Sequence, residues 1–135
     1  MLEVQVLLIN LNVVKRVLKY NIIAVDFDGT IVEENYPNVG DLIPKAKEVL
    51  LKFHNKGGTI ILNTCRHDTD LEEAILFMNM NNIPFDFVNS NDPYMIEKYN
   101  SDSRKIGADM YIDNRSPESI QKGYVDWSLI EELII

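Results

Sequence analysis

Five side chains in this sequence could do chemistry together if the chain brought them to one place. Asp26 and Asp28 stand two residues apart in Asp26-Phe27-Asp28-Gly29-Thr30, directly after an apolar run. Thr64, followed by Cys65 and Arg66, stands after a second apolar run, and Asp113, followed by Asn114 and Arg115, after a third. Lys105 lies just upstream of that third run. Two carboxylates spaced this way can enter one small volume, where their mutual repulsion calls for a cation. All-oxygen donors suit Mg²⁺, and a third carboxylate from Asp113 completes the set. Such a metal neutralises phosphoryl oxygens and leaves one carboxylate to attack.

The elements that must position these residues are legible as alternating strands and helices. Asn21 to Asp26 is a short apolar, partly β-branched run that reads as a buried parallel strand. A polar loop follows from Glu33 to Asp41; Pro44 then opens a helix with Ala46, Val49, Leu50 and Phe53 on one face, and Gly57-Gly58 stops it. Thr59 to Asn63 predicts a second strand, and Asp68 or Thr69 the cap of a second helix carrying Leu71, Ala74, Ile75 and Met78 inward. Phe85 to Val88 predicts a third strand, Asn89 to Ser103 a long polar loop, Met110 to Asp113 a fourth strand. Pro117 to Lys122 and Asp126 to Ile135 read as helices. This alternation predicts one α/β domain, a three-layer α/β/α sandwich around a doubly wound parallel sheet. In such sheets ligands bind at the carboxyl ends of the strands, where the candidate residues fall.

Four ordered motifs together resemble those of the haloacid dehalogenase superfamily. Asp26-Phe27-Asp28-Gly29-Thr30 is similar to its first signature, Asp-x-Asp-x-Thr after the first strand. Thr64 after Ile60-Ile61-Leu62-Asn63 resembles its second motif, Lys105 its third, and Tyr111-Ile112-Asp113 its fourth. The resemblance covers about residues 21–125. It implies a Rossmann-like fold and a Mg²⁺-dependent phosphomonoester hydrolase. Asp26 is then the nucleophile that forms an aspartyl-phosphate, and Asp28 the general acid and base. Thr64 and Lys105 hold the transferring group, with Gly29, Cys65 and Arg66 beside it. The guanidinium groups of Arg66 and Arg115 suit a phosphate or second substrate anion, or else ion pairs with nearby carboxylates such as Asp68 or Asp70. The metal is bound by Asp26, Asp28 (through its carbonyl) and Asp113. Asn114 departs from the family pattern, which often places a second acid there; weaker metal binding is expected. Lys98 and Arg104 compete with Lys105 for the third motif. The gaps Thr30 to Pro44 and Thr64 to Lys105 are too short for a cap domain, so the resemblance is to a capless member.

Composition bounds the rest. At 135 residues, 46% hydrophobic and 25% charged, the chain suits one globular domain. A net charge of −8 disfavours nucleic acid as a general partner, although Thr64-Cys65-Arg66 and Ile112 to Arg115 are similar to segments of the phosphatase half of polynucleotide kinase-phosphatases. A phosphorylated small molecule or macromolecule end is therefore the expected substrate, and an open site admits a homo-oligomer whose neighbour covers it. The single cysteine, Cys65, excludes an internal disulfide and fits a reducing compartment. Residues 1–20 read as an extension packing on the domain edge. The apolar run from Val4 to Leu11 lacks the flanks of a secretory signal and the length of a membrane span, so no membrane partner and a cytoplasmic location are expected. Two non-hydrolase readings share the scaffold: a receiver-like phosphoacceptor and a binding protein without turnover.

Overall fold

The computed structural model describes residues 18–135. Four strands run in one all-parallel sheet of order β3-β2-β1-β4: β1 (Ile22–Val25), β2 (Thr59–Leu62), β3 (Phe87–Val88) and β4 (Met110–Ile112). Helices α1 (Ala46–Asn55), α2 (Asp68–Met80), α3 (Pro93–Tyr99), α4 (Pro117–Lys122) and α5 (Trp127–Ile134) flank it. The result is a Rossmann-like α/β domain.

Every residue of β1 is buried, as expected for a strand covered on both faces. Its side chains alternate: Ile23 and Val25 join Ile60, Leu62 and Ile112 in the main core, with Val49, Leu50 and Phe53 from α1 and Trp127 and Ile134 from α5. The predicted stripe of α1 is the buried one, Ala46, Val49, Leu50 and Phe53. Gly57 ends that helix region in the left-handed conformation (φ 94°). At Gly58 a Cβ would stand 2.2 Å from the Phe53 ring, so a side chain there would push α1 off the sheet.

Three local expectations differ. First, α1 begins at Ala46, preceded by Lys45 at φ 72°, rather than at Pro44. Second, no side chain caps α2; His67 occupies the cap position, and Asp68 adopts φ 50° instead of capping. Third, the segment expected as a loop from Asn89 to Ser103 contains α3. Asp92 caps it by accepting from Tyr94 N–H (2.9 Å), and Pro93 sits in its first turn, where the missing N–H costs nothing. The chain after α3 is tied down by buried Asn91, which donates to Asp102 Oδ1 (3.0 Å) and Ser103 O (2.9 Å) and accepts from Gly107 N–H (2.6 Å).

Leu18 is buried in the main core and Tyr20 packs against it, so the domain begins before the first strand. The remainder of the expected extension lies outside the described residues. Among the described residues no helix is long and apolar enough to cross a membrane.

Candidate active site

The site follows from strand order. The chain leaves β1 for β2 and β3 on one side, then returns to place β4 on the other side of β1. A doubly wound sheet opens its ligand crevice at such a reversal. Register completes the placement: Val25 pairs with Ile112, and Asp26 N–H donates to Ile112 O (2.9 Å). The residues that follow, Asp26 and Asp113, therefore emerge side by side. On the other flank Asn63 N–H donates to Val25 O (2.8 Å), which brings Thr64 to the same end.

An open pocket of about 370 Å³ results, lined by Asp26, Asp28, Glu34, Tyr36, Thr64, Cys65, Arg66, Asp113, Asn114 and Arg115. Of the residues singled out from sequence, Asp26, Asp28, Thr64, Cys65, Arg66 and Asp113 meet here. Gly29 lines the adjoining cleft, which shares Glu34 and Asn114 with the pocket.

Asp26 is the centre. Its Oδ2 accepts from Thr30 Oγ1 (3.2 Å), and the Asn114 side-chain amide, assigned with its nitrogen toward the carboxylates because the opposite orientation would face oxygen to oxygen, donates to that same oxygen (3.0 Å) and to Asp113 Oδ1 (3.1 Å). Burial, and then the nearby negative charge of Asp113, push the Asp26 carboxyl up to about 7. One amide dipole thus stands between two carboxylates that repel each other, an arrangement that favours a cation. Mg²⁺ is commonly held by one or two carboxylates and keeps several waters, so Asp26 and Asp113 are a suitable pair of carboxylate donors. Among the described residues no group of three or more acidic, His or Cys side chains is assembled as a metal cage. The Asp28 side chain is turned away, onto Arg66.

The loop beneath is held from three sides. Gly29 has φ +78°, and a Cβ there would stand 2.2 Å from the Asn114 side-chain amide, so this turn and the bridging amide require glycine. Fully buried Thr30 donates to Asp26 and accepts from Asn114 N–H (3.0 Å) through its hydroxyl. Its carbonyl accepts from Trp127 Nε1–H (2.8 Å), a link from α5 that no local motif in the sequence announces. Trp127→Phe removes this donor from a buried carbonyl and leaves a smaller ring in a buried site, and should lower unfolding free energy by at least about 1–3 kcal/mol in urea denaturation. An unchanged midpoint would mean that the link does not support the loop.

Arg66 is the best-satisfied residue of the site. Its Nε–H and Nη2–H donate to Asp28 Oδ2 and Oδ1, both at 2.7 Å. The remaining N–H groups go to Pro37 O (3.0 Å), Asn38 O (2.9 Å) and Asp70 O (3.1 Å). The guanidinium lies between the Phe27 and Tyr36 rings, 5.2 and 5.1 Å from their centres. The Asp28 hydrogen bonds hold it protonated even more firmly than a free arginine. All five donors are therefore engaged by the protein. At rest, then, no N–H is free for a phosphate oxygen, and Arg66 stands as the ion-pair partner of Asp28.

The guanidinium instead ties the Asp28 turn to the segment 33–41 and to the start of α2. That segment is a hairpin-like flap, closed at its neck by Glu33 N–H to Asp41 O (2.8 Å) and Ile43 N–H to Ile31 O (2.9 Å). Tyr36, on the flap, donates its hydroxyl to Asp70 Oδ2 (3.0 Å).

Lys105 does not come to the pocket. Its ammonium lies 5.3 Å from the centre of the Tyr111 ring, and Tyr111 pairs with Ala24 on the sheet face opposite the main core. Lys98 stands over Tyr99. Two residues missed from sequence are Asn114 as the bridge and Asn89, whose Oδ1 accepts from Thr64 N–H (2.8 Å). Asn114 was visible as a departure from a two-acid motif; Asn89 carried no such signal.

A Rossmann-like α/β domain with paired carboxylates at its topological switch is the class that fold and site define. No family model matches the chain, and no curated protein does. A solved structure described as that of a conserved protein from Bacteroides thetaiotaomicron is 38% identical, with a TM-score of 0.70. The match covers 83% of this chain and 87% of that one. The chain belongs to the same family as that conserved protein.

Proposed function

We propose that this chain is a Mg²⁺-dependent phosphomonoester hydrolase of the haloacid dehalogenase type, built as a three-layer sandwich without a cap domain. The observation that carries the reading is the pairing of Asp26 with Asp113 across the switch point, bridged by one amide and raised in proton affinity. Bound Mg²⁺ would offset charge on the phosphoryl oxygens. Asp26 attacks phosphorus through a carboxylate oxygen as the bond to the leaving oxygen breaks, forming an aspartyl-phosphate. The Thr64 hydroxyl, which accepts from Arg66 N–H (3.1 Å), retains its own hydrogen for a phosphoryl oxygen. Asp28 protonates the leaving oxygen and then takes a proton from the water that hydrolyses the intermediate. To do so it has to leave Arg66 and take up a proton from solvent before the leaving oxygen departs, because both its oxygens accept from that guanidinium at rest.

The same ion pair favours a second reading. If Asp28 stays on Arg66, no acid or base attends the acyl phosphate, and the protein is a phosphoacceptor with slow turnover. Phosphate release across a panel of small phosphomonoesters, nucleotides and end-phosphorylated oligonucleotides, with Mg²⁺ and with EDTA, tests both. Multiple turnovers that stop with EDTA support the hydrolase. A single stoichiometric burst favours the acceptor, and metal-independent release sinks both.

A further inference from the structure

A phosphoryl group entering this pocket adds negative charge beside Asp26, Asp28, Glu34 and Asp113, so a cation has to meet it. Five basic residues compete for that role by sequence, Arg66, Lys98, Arg104, Lys105 and Arg115, and neither Lys98 nor Arg104 lines the pocket. At rest every Arg66 donor is engaged by the protein, two of them by Asp28. Lys105 is turned onto Tyr111 and does not line the pocket. Arg115 does line it. Its backbone N–H is anchored on Asp113 Oδ1 (2.8 Å), so the residue starts from the same turn that carries the metal-facing carboxylate. Among the described residues no carboxylate lies within 4.0 Å of its guanidinium, although the pocket is rich in them.

We propose that Arg115 is the ligand of the substrate's phosphate, in the place expected for Lys105. A guanidinium suits that position. Its planar fork matches two phosphate oxygens, and it sheds water more readily than an ammonium. It is exposed and its charge is unmatched at rest, so it meets the phosphate without first breaking an ion pair.

The proposal rests on the hydrolase reading, and the experiment separates the two. Wild type, Arg115→Ala, Arg115→Lys, Lys105→Ala and Asp26→Asn are compared in two measurements: affinity for inorganic phosphate in Mg²⁺ by calorimetry, and KM and kcat on the best substrate of the panel. Arg115→Ala should weaken phosphate binding about 10- to 100-fold, the scale of a charged hydrogen-bonding partner. KM should rise in parallel, Arg115→Lys should recover part of the loss, and Lys105→Ala should stay within about twofold of wild type. Unchanged phosphate affinity in Arg115→Ala, or a loss that follows Lys105→Ala instead, overturns the assignment while leaving the hydrolase reading intact. If Asp26→Asn hydrolyses as fast as wild type, the hydrolase reading fails, and the phosphate-affinity measurement still decides on Arg115.

Discussion

Asp26→Asn should abolish phosphate release, lowering kcat by at least ~10⁴-fold, and should make the metal-free protein more stable near pH 8. Activity is lost because an amide is no nucleophile toward phosphorus and is a poorer metal donor. The stability gain follows from linkage. Burial and Asp113 raise the Asp26 carboxyl from its ordinary 3.8 to about 7. Between those values the folded protein holds a proton that the unfolded chain has released. Unfolding free energy therefore falls as pH rises from about 4 to about 7, and stays low above. Removing the charge removes that loss. Thermal melts in EDTA should place Asp26→Asn several degrees above wild type at pH 8, with the gap closing toward pH 4. Saturating Mg²⁺ should shrink or reverse the pH 8 gap, because the metal stabilises whichever folded state it binds better. A variant less stable than wild type at pH 8 in EDTA would mean that Asp26 is not held under charge strain.

How far the site could be read in advance depends on the range of the interactions. β1, β2 and β4 were legible because each is an apolar run stopped by a polar residue, and fold class then sends those polar ends to one edge. That reasoning placed Asp26, Thr64 and Asp113 together without any knowledge of register. It could not say which residue each side chain would choose. Asp68 and Asp70 were the obvious carboxylates for Arg66 because they are near in sequence. The guanidinium instead pairs with Asp28, 38 residues away, and takes only a backbone carbonyl from Asp70. Lys105 was assigned by its place before the last strand, yet position in sequence does not say over which face of the sheet the chain returns. Tyr111, alternating to the face opposite Ile112, captures it there. Helix α3 is a different case: the Asp92-Pro93 pair was a legible start, obscured by the polar residues around it.

The second large effect lies in stability, at Arg66. Its side chain is 1% exposed and that of Asp28 15%, so this ion pair is almost wholly removed from water. An exposed pair is worth little, but cutting a buried one strands a charge whose hydration has already been given up. Arg66→Ala leaves the Asp28 carboxylate unpaired, uncaps the carbonyls of Pro37, Asn38 and Asp70, and empties the space between the Phe27 and Tyr36 rings. Urea denaturation should register a loss of about 3–5 kcal/mol, a large share of the ~5–15 kcal/mol of a typical domain. The flap should open at the same time, seen as faster hydrogen exchange at residues 34–39. Arg66→Met with Asp28→Asn keeps much of the volume and removes both charges. If desolvated charge is what matters, this double variant should be clearly more stable than Arg66→Ala, although the three carbonyls stay unpartnered. If the two are equally unstable, the carbonyl contacts to the flap and α2 dominate instead. If Arg66→Ala folds as well as wild type and loses only phosphate affinity, the reading of Arg66 as a clamp is wrong. Its donors would then be available to substrate after all.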